Sequence, residues 1–351
     1  SLVGSEMCIR DRYVEALCRE IQETSPEYRE YQVVSVFIGG GTPSVLLPEQ
    51  TIRIMETLKS CFTLTDTCEI SMEMNPGTVT PEKMNAYRAC GINRISIGLQ
   101  SANDGELKAL GRIHTCADFL KAYEMTVEAG FTNINVDLMS AIPEQTLKSY
   151  QETLQKVLAL QPQPVHISAY SLIVEEGTPF YEQELNLPDE ETERRMYEIT
   201  DDILRKAGYH RYEISNYAKA GKECVHNKVY WQRGNYIGFG AGAASLMDDI
   251  RYSNVRDVKK YIENPCGYDG IEKLSLNDRM AEYMFLGMRM MSGVSISMFR
   301  QLFGTDMMDV YREPIDKHIK EGLLYMGNDR LRLTKKGIDL SNYVFCDFLV
   351  G

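Results

Sequence analysis

VVSVFIGGGTP, residues 33–43, decides how the rest of the chain is read. Val33 to Ile38 are rich in valine, isoleucine and phenylalanine and read as a fully buried strand. That strand runs straight into Gly39, Gly40 and Gly41, then Thr42 and Pro43. Three glycines clear every side chain from the mouth of a strand, so the charged or main-chain-like part of a ligand can lie against backbone amides. A tight turn with no ligand uses the same residues, so the motif alone does not decide. From Pro43 onward the pattern predicts a helix with Ile52, Met55 and Leu58 on one face.

A βα rhythm follows. Strands are expected at 69–74, 94–99, 133–138 and 165–170, with helical stretches between them, among them 118–128 and 147–160. A repeat of about 30 residues is one βα unit, which implies parallel strands with right-handed crossovers. The fold class is α/β, a partial (β/α) barrel. Glu73, Gln100, Asp137 and Tyr170 stand at the ends of successive strands, as Gly40, Gly41 and Thr42 do after the first. In a parallel barrel all of them share the carboxyl-end face, where ligand sites are built. Each has a plainer role open to it: Glu73 beside Asn75-Pro76-Gly77 can stabilise a turn, Gln100 and Asp137 can cap helices, and Arg112 in LGRIHT can be a loop charge. Together they offer carboxylates, an amide, a guanidinium and open glycine amides, a set suited to a zwitterionic small molecule that carries a sugar.

Composition narrows the function classes. The chain has 351 residues, 44% of them hydrophobic and 25% charged, with a net charge of −12 and a pI near 5.1. That balance argues against nucleic acid as a partner and against a basic membrane-docking face, and no stretch reads as a membrane span, so a cytoplasmic home is expected. The nine cysteines are scattered, with no CxxC, and most read as small buried hydrophobes in a reducing compartment. Residues 1–12, SLVGSEMCIRDR, lack both regions of a signal peptide and read as a non-native leader. Val14, Leu17, Cys18 and Ile21 then mark an amphipathic helix over 13–21, read as a barrel helix whose preceding strand is absent.

The barrel is assigned to 13–215, a connecting region to 216–274 and a separate domain to 275–351. The connecting region holds CVHNKVYW, Cys224 to Trp231, in which His226 beside aromatic residues is either a packed histidine or a porphyrin contact. Gly238, Gly240 and Gly242 alternate in GFGAGAAS, a spacing that suits either close approach of a flat ligand or a bulged strand. In the last domain, helical patterns at 277–291, 297–303 and 308–323 precede a hairpin turning at Gly327-Asn328-Asp329. The arrangement is winged-helix-like, and mixed charges without a basic stripe favour a docking or lid role over nucleic acid. Met284, Met288, Met290, Met291 and Met298 read as core filler.

The order GGGTP, EMNPG, RISIGLQS, LGRIHT and NVDLM resembles the radical S-adenosylmethionine (SAM) enzymes of the oxygen-independent coproporphyrinogen III oxidase family, from about Tyr13 to the C-terminus. CVHNKVYW points to the branch of haem chaperones within it. The resemblance implies SAM and haem as ligands, haem-accepting proteins as partners, and a place in or beside porphyrin biosynthesis. It would set Gly40, Gly41 and Thr42 against the methionyl end of SAM, Glu73 and Asp137 against its polar or ribose groups, and Gln100, Arg112 and Tyr170 around the remainder. His226 becomes the haem candidate. Oxidative decarboxylation of coproporphyrinogen III is the alternative. The family carries a CxxxCxxC loop that holds a [4Fe–4S] cluster. That loop and the first barrel strand are missing here, Cys8 and Cys18 cannot replace them, and so the chain is read as N-terminally truncated, with no metal ligands of its own. Ser140-Ala141-Ile142-Pro143 stands where the family more often has a tyrosine–glycine pair before leucine–proline, so an altered loop is expected after Asp137.

Overall fold

The computed structural model describes residues 2–349. The chain divides into two compact units, one formed by Gln32–Arg211 with Ser215–Cys224, the other by the chain before Gln32, Tyr212–Ile214 and the chain from Val225 on. Helix α1 (Leu2–Thr24) belongs to the latter and carries the segment read as a leader and the predicted helix 13–21 in one run.

The first unit is the βα barrel fragment: β1 (Gln32–Ile38), α2 (Pro48–Cys61), β2 (Thr63–Met74), α3 (Pro81–Ala89), β3 (Arg94–Gln100), α4 (Asp104–Ala109), α5 (Cys116–Glu128), β4 (Asn133–Ser140), α6 (Leu147–Leu158), β5 (His166–Ser171), α7 (Glu190–Lys206), β6 (His210–Glu213) and β7 (Asn216–Ala218). Strands β1 to β5 pair in sequence order and in parallel; β7 pairs antiparallel with β5, and β6 closes the order. The period of two in each strand gives the sheet two different faces. Ile70, Met72 and Met74, then Ile95, Ile97 and Leu99, then Ile134, Val136 and Leu138, then Ile167 form one apolar core with Tyr87, Phe119, Tyr150 and Leu154 of the helices. The alternate residues Ser71, Arg94, Ser96, Asn135, His166 and Ser168 are polar and equally buried.

Two expectations are corrected in the first βα unit. Strand β1 is not fully buried: it is the terminal strand of the sheet, and Val34 is 47% exposed. A strand at the end of a sheet is covered on one flank only, whatever its β-branched content. Nor does a helix start at Pro43. Pro43–Val45 is a single 3₁₀ turn, and α2 begins at Pro48, where Gln50 Oε1 accepts the Leu47 N–H at 2.9 Å. The second proline, not the first, occupies the helical N-terminus.

In the second unit, α8 (Val225–Trp231) leads to an antiparallel sheet of β8 (Ala244–Met247), β9 (Ile250–Asn254) and β10 (Tyr268–Lys273), with α9 (Val258–Glu263) between the last two strands. Helix α1 is tied to this region through buried Glu20. Its carboxylate accepts Gly240 N–H at 2.9 Å, Asn254 Nδ2 at 2.7 Å and the Tyr261 hydroxyl at 2.7 Å. The barrel-helix reading of 13–21 therefore gives way to membership of this unit, because a buried carboxylate goes where its donors are. The alternating glycines are also accounted for internally. A Cβ at Gly240 would lie 2.8 Å from the Tyr13 hydroxyl, and one at Gly238 would lie 2.9 Å from the Ala243 side chain, so protein atoms, not a flat ligand, fill that space.

The chain ends in α10 (Leu276–Gly287), β11 (Val294–Ser295), α11 (Ile296–Phe303), α12 (Met307–Lys320), β12 (Leu324–Gly327), β13 (Arg330–Leu333), α13 (Lys335–Asp339) and α14 (Ser341–Cys346). The predicted hairpin turns at Asn328 and Asp329, both with positive φ (52° and 62°), the conformation a two-residue hairpin turn demands. Met280, Met284, Met288 and Met307 sit in the core of this domain, whereas Met298 is exposed. The cysteines follow the buried reading only in part: Cys18, Cys68, Cys90 and Cys224 are buried, Cys61, Cys116 and Cys266 half-buried, Cys8 and Cys346 exposed. No helix among the described residues is long and apolar enough to cross a membrane.

Because β1 ends the sheet while β3 lies between β2 and β4, backbone amides of 32–38 are expected to exchange with deuterium faster than those of 94–100. Equal protection of the two segments in a native-state exchange experiment would show that β1 is covered as completely as a central strand.

Candidate functional site

The site is assembled from strand ends. Beyond β1, Gly40 and Gly41 hold φ of 79° and 82°, a left-handed backbone that only glycine adopts without cost. Nothing lies within 4 Å of where their Cβ atoms would be, so the loop opens outward. Gly39 is the reverse: a Cβ there would stand 2.8 Å from the Glu73 carboxylate and from the Phe37 ring. Glu73 Oε2 accepts the Gly40 N–H at 3.2 Å, which ties the end of β2 to the glycine loop. Behind the loop, Ser44 is fully buried and bonded to Thr78, its Oγ accepts the Asn75 N–H at 3.2 Å, and Lys83 Nζ donates to the Ser44 and Thr78 carbonyls at 2.6 and 2.9 Å. These contacts fix Ser44, directly after GGGTP, to Asn75 of EMNPG and to Thr78 just beyond it.

Strands β2, β3 and β4 bring their polar ends into register. Glu73 pairs with Ser96, and Gly98 pairs with Asp137, so a residue without a side chain separates the two carboxylates. A Cβ at Gly98 would approach Gln100 Nε2 at 3.2 Å. Gln100 itself has φ of 70° and sits in a β-bulge, a strained placement for a non-glycine residue. Burial pushes the Glu73 carboxyl above its ordinary value, and the Asp137 charge pushes in the same direction, against the Gly40 N–H that lowers it. Asp137 is raised as well, chiefly by burial, with Asn135 and the positive Arg94 opposing. Carboxylates perturbed in this way gather at functional sites more often than elsewhere, and structural networks produce them too.

The remaining candidates are placed less closely. Arg112 is exposed in the loop after α4, two residues from His114, whose Nε2 is bonded to the Leu99 carbonyl at 3.0 Å. This anchors the loop at the end of β3. Tyr170, at the end of β5, is 42% exposed. Thr42 caps the 3₁₀ turn. After Asp137, Ala141 and Glu144 both adopt positive φ (58° and 67°), and Glu144 is bonded to Asn186 through its N–H at 2.9 Å and its carboxylate at 3.1 Å. Ala141 thus holds a left-handed conformation in the segment where the family resemblance places glycine.

Sequence reasoning missed the polar face beneath these residues: Ser71, Arg94, Ser96, Asn135, His166, Ser168 and Asn216. The signal was present, since RISIGLQ, NINVDL and HISAY alternate apolar and polar residues throughout.

In the other unit, His226 Nε2 is bonded to the Tyr230 hydroxyl at 2.9 Å, with the two rings edge to face at 4.8 Å, and Tyr230 meets Tyr236 in the same way at 4.7 Å. Arg289 stacks over Trp231 at 4.4 Å while bonded to Glu213 at 2.8 Å. The histidine is half-buried in an aromatic cluster.

No three His, Cys, Asp or Glu among the described residues are placed to hold a metal. Cys8 and Cys18 share helix α1, ten residues apart, hence about 15 Å along its axis. The residues present therefore do not fit a [4Fe–4S] cluster, and no step is drawn through one. They do fit the polar parts of SAM: backbone in an open glycine loop, two carboxylates near the ends of β2 and β4, and the Gln100 amide on β3 between them.

A radical SAM superfamily model matches residues 8–157, and a HemN C-terminal domain model matches residues 274–340. The haem chaperone HemW of Bacillus subtilis is 36% identical over 348 residues, 97% of this chain and 91% of that protein, and that of Lactococcus lactis is 37% identical over 97% and 90%. The chain belongs to the HemW family. The HemW of Escherichia coli is 32% identical over 93% of this chain. Coproporphyrinogen III oxidase (HemN) from Escherichia coli, described as a radical SAM enzyme, superposes with a TM-score of 0.85 over 97% of this chain and 83% of that one, at 22% identity. That likeness establishes the shared radical SAM fold with its C-terminal helical domain, while the higher identities lie with the chaperones rather than the oxidase.

Two outcomes are expected here. Ala141→Gly should stabilise the protein by about 1 kcal/mol, the order of the cost of a left-handed backbone at a residue with a Cβ, read as a higher midpoint in urea with unchanged slope. A lower midpoint would show that Ala141 is not strained. Glu73→Gln should raise Tm at pH 7, because a carboxyl whose folded pKa is raised contributes stability below its unfolded value near 4.5 and loses it as pH climbs through the folded value. The gain over the parent must shrink toward pH 4; a difference that does not change with pH contradicts the shift.

Proposed function

We propose that this chain binds haem and hands it to acceptor proteins, with a SAM site on the carboxyl-end face of its partial barrel. The observation that carries the reading is the 36–37% identity, over 97% of the chain, to proteins named as haem chaperones. Support from the geometry comes from the half-buried His226 within the aromatic cluster of Tyr230 and Tyr236, since imidazole is a common ligand for haem iron.

For SAM, Gly40, Gly41 and Thr42 would receive the methionyl end, Glu73 its ammonium, Asp137 the ribose hydroxyls, and Gln100, Arg112 and Tyr170 the rest. A carboxylate beside an ammonium and a second carboxylate beside a diol are the pairings these groups form best. SAM, when bound, supplies the sulfonium and adenosyl groups characteristic of this superfamily. The chain's residues bind and orient it and keep water from the carboxylates.

The test is a haem titration followed at the Soret band. A saturable shift at one haem per chain is expected, and His226→Ala should weaken binding roughly ten-fold or more, about 1.4 kcal/mol. A chain that gives no saturable shift, with circular dichroism showing it folded, would sink the reading.

A further inference from the structure

Beneath the carboxyl-end face runs a directed chain of hydrogen bonds. His166, fully buried on β5, has Nδ1 at 2.6 Å from Asn135 Oδ1. Asn135, 2% exposed on β4, donates its two amide hydrogens to Ser96 Oγ at 2.8 Å and to Asp137 Oδ1 at 2.9 Å. Ser168 Oγ also faces Asn135 Oδ1, at 3.2 Å, but lies closer to Asn216 Oδ1, at 2.7 Å. A hydroxyl has one hydrogen to give, and the shorter bond takes it. His166 Nδ1 is therefore the principal partner of the Asn135 carbonyl oxygen, and it donates to that oxygen in the Nδ1–H tautomer.

The directions follow from the chemistry. An amide can sit either way round in its density of neighbours, and what chooses is the donor or acceptor character of the groups it meets. Where the Asp137 carboxyl carries no proton, it only accepts. With a proton on His166 Nδ1, the Asn135 oxygen must turn to His166 and its nitrogen to Asp137. Burial, together with the positive Arg94, holds the His166 imidazole well below its usual range, so it is neutral and has one proton to place. Were that proton on Nε2 instead, the amide would be free to turn, and its oxygen would confront the Asp137 carboxylate.

We propose that His166 and Asn135 are positioning residues that fix the plane of the Asp137 carboxylate for a ligand diol. The inference rests on the reading of Asp137 as the ribose contact. Its consequence is selective: losing the relay weakens a ligand that carries both ribose hydroxyls and spares one that lacks them. A merely structural role would weaken both alike.

Calorimetry on the full chain separates these, with S-adenosylhomocysteine as the diol ligand and its 2′,3′-dideoxy analogue as control. His166→Leu should weaken S-adenosylhomocysteine about ten-fold, the scale of one hydrogen bond to a charged group, and leave the analogue within error. His166→Asn, whose Nδ2 stands near the place of Nδ1, should restore most of the affinity. Combined with Asp137→Ala, His166→Leu should add nothing further, since the relay acts only through that carboxylate. Asn135→Asp is the second variant should His166→Leu fail to fold: it keeps the size, turns an oxygen toward Asp137, and must penalise the diol ligand alone. Equal losses for both ligands, or no rescue by His166→Asn in a folded protein, overturn the relay while leaving the ribose reading intact. If Asp137→Ala leaves S-adenosylhomocysteine unaffected, the ribose reading falls, and the relay with it.

Discussion

A sheet face that is both polar and buried must satisfy its own hydrogen bonds, and this requirement governs the barrel unit. Unpaired buried polar groups cost about 1–3 kcal/mol each, so a face carrying Ser71, Arg94, Ser96, Asn135, His166 and Ser168 survives only as a network. Asn135 is its hub because its amide nitrogen donates twice, to Ser96 and Asp137, while its oxygen faces His166. The opposite face carries no such burden and packs Ile95, Ile97, Ile134 and Val136 against the helices. One period-two pattern thus builds both the core that holds the sheet together and the polar network that bonds the Asp137 carboxylate.

Above that floor the backbone is strained in a confined region. Gln100, Ala141 and Glu144 take left-handed conformations at or just beyond the ends of β3 and β4, beside the open turns at Gly40 and Gly41. Each non-glycine case works against a Cβ, and such residues persist where surrounding contacts over-determine them. For Glu144 the contact is Asn186 on both backbone and side chain; for Gln100 it is the bulge against Leu138. Among the described residues of this unit, the left-handed non-glycine positions therefore gather at and beyond the ends of β3 and β4.

Much of this was legible in residues. The strand ends Glu73, Gln100 and Asp137 declared themselves by polarity at a fixed place in a repeating unit, and the structure places them at the ends of β2, β3 and β4, Glu73 opposite Ser96, Asp137 opposite Gly98 and Gln100 opposite Leu138. The hairpin at Asn328-Asp329 was legible because its backbone demands those residue types. What escaped depended on distant partners. Val33–Ile38 has the composition of a central strand, and only the topology makes it terminal. Tyr13–Ile21 has the amphipathic pattern of any surface helix, and what assigns it to the second unit is Glu20, a charged residue that local pattern places in solvent but which Gly240, Asn254 and Tyr261 hold inside. Arg112 and Tyr170 are exposed, so burial gives no sign of the roles the sequence proposed for them.

The two glycine motifs show what separates a site from a joint. GGGTP and GFGAG look alike as strings, and in both the backbone turns left-handed. They differ in what occupies the volume a Cβ would fill. Over Gly40 and Gly41 there is no protein atom within 4 Å, whereas at Gly240 the Tyr13 hydroxyl stands 2.8 Å from that point. A glycine kept for conformation alone tolerates either surrounding; a glycine kept for close approach names its partner by position. At Gly240 the partner is part of the chain, which bonds Tyr13 to the neighbouring Ala241 N–H at 3.0 Å. At Gly40 and Gly41 no protein atom fills the equivalent volume, and the Gly40 N–H is held from behind by Glu73 Oε2 at 3.2 Å, so the open side of the turn is a surface of bare backbone.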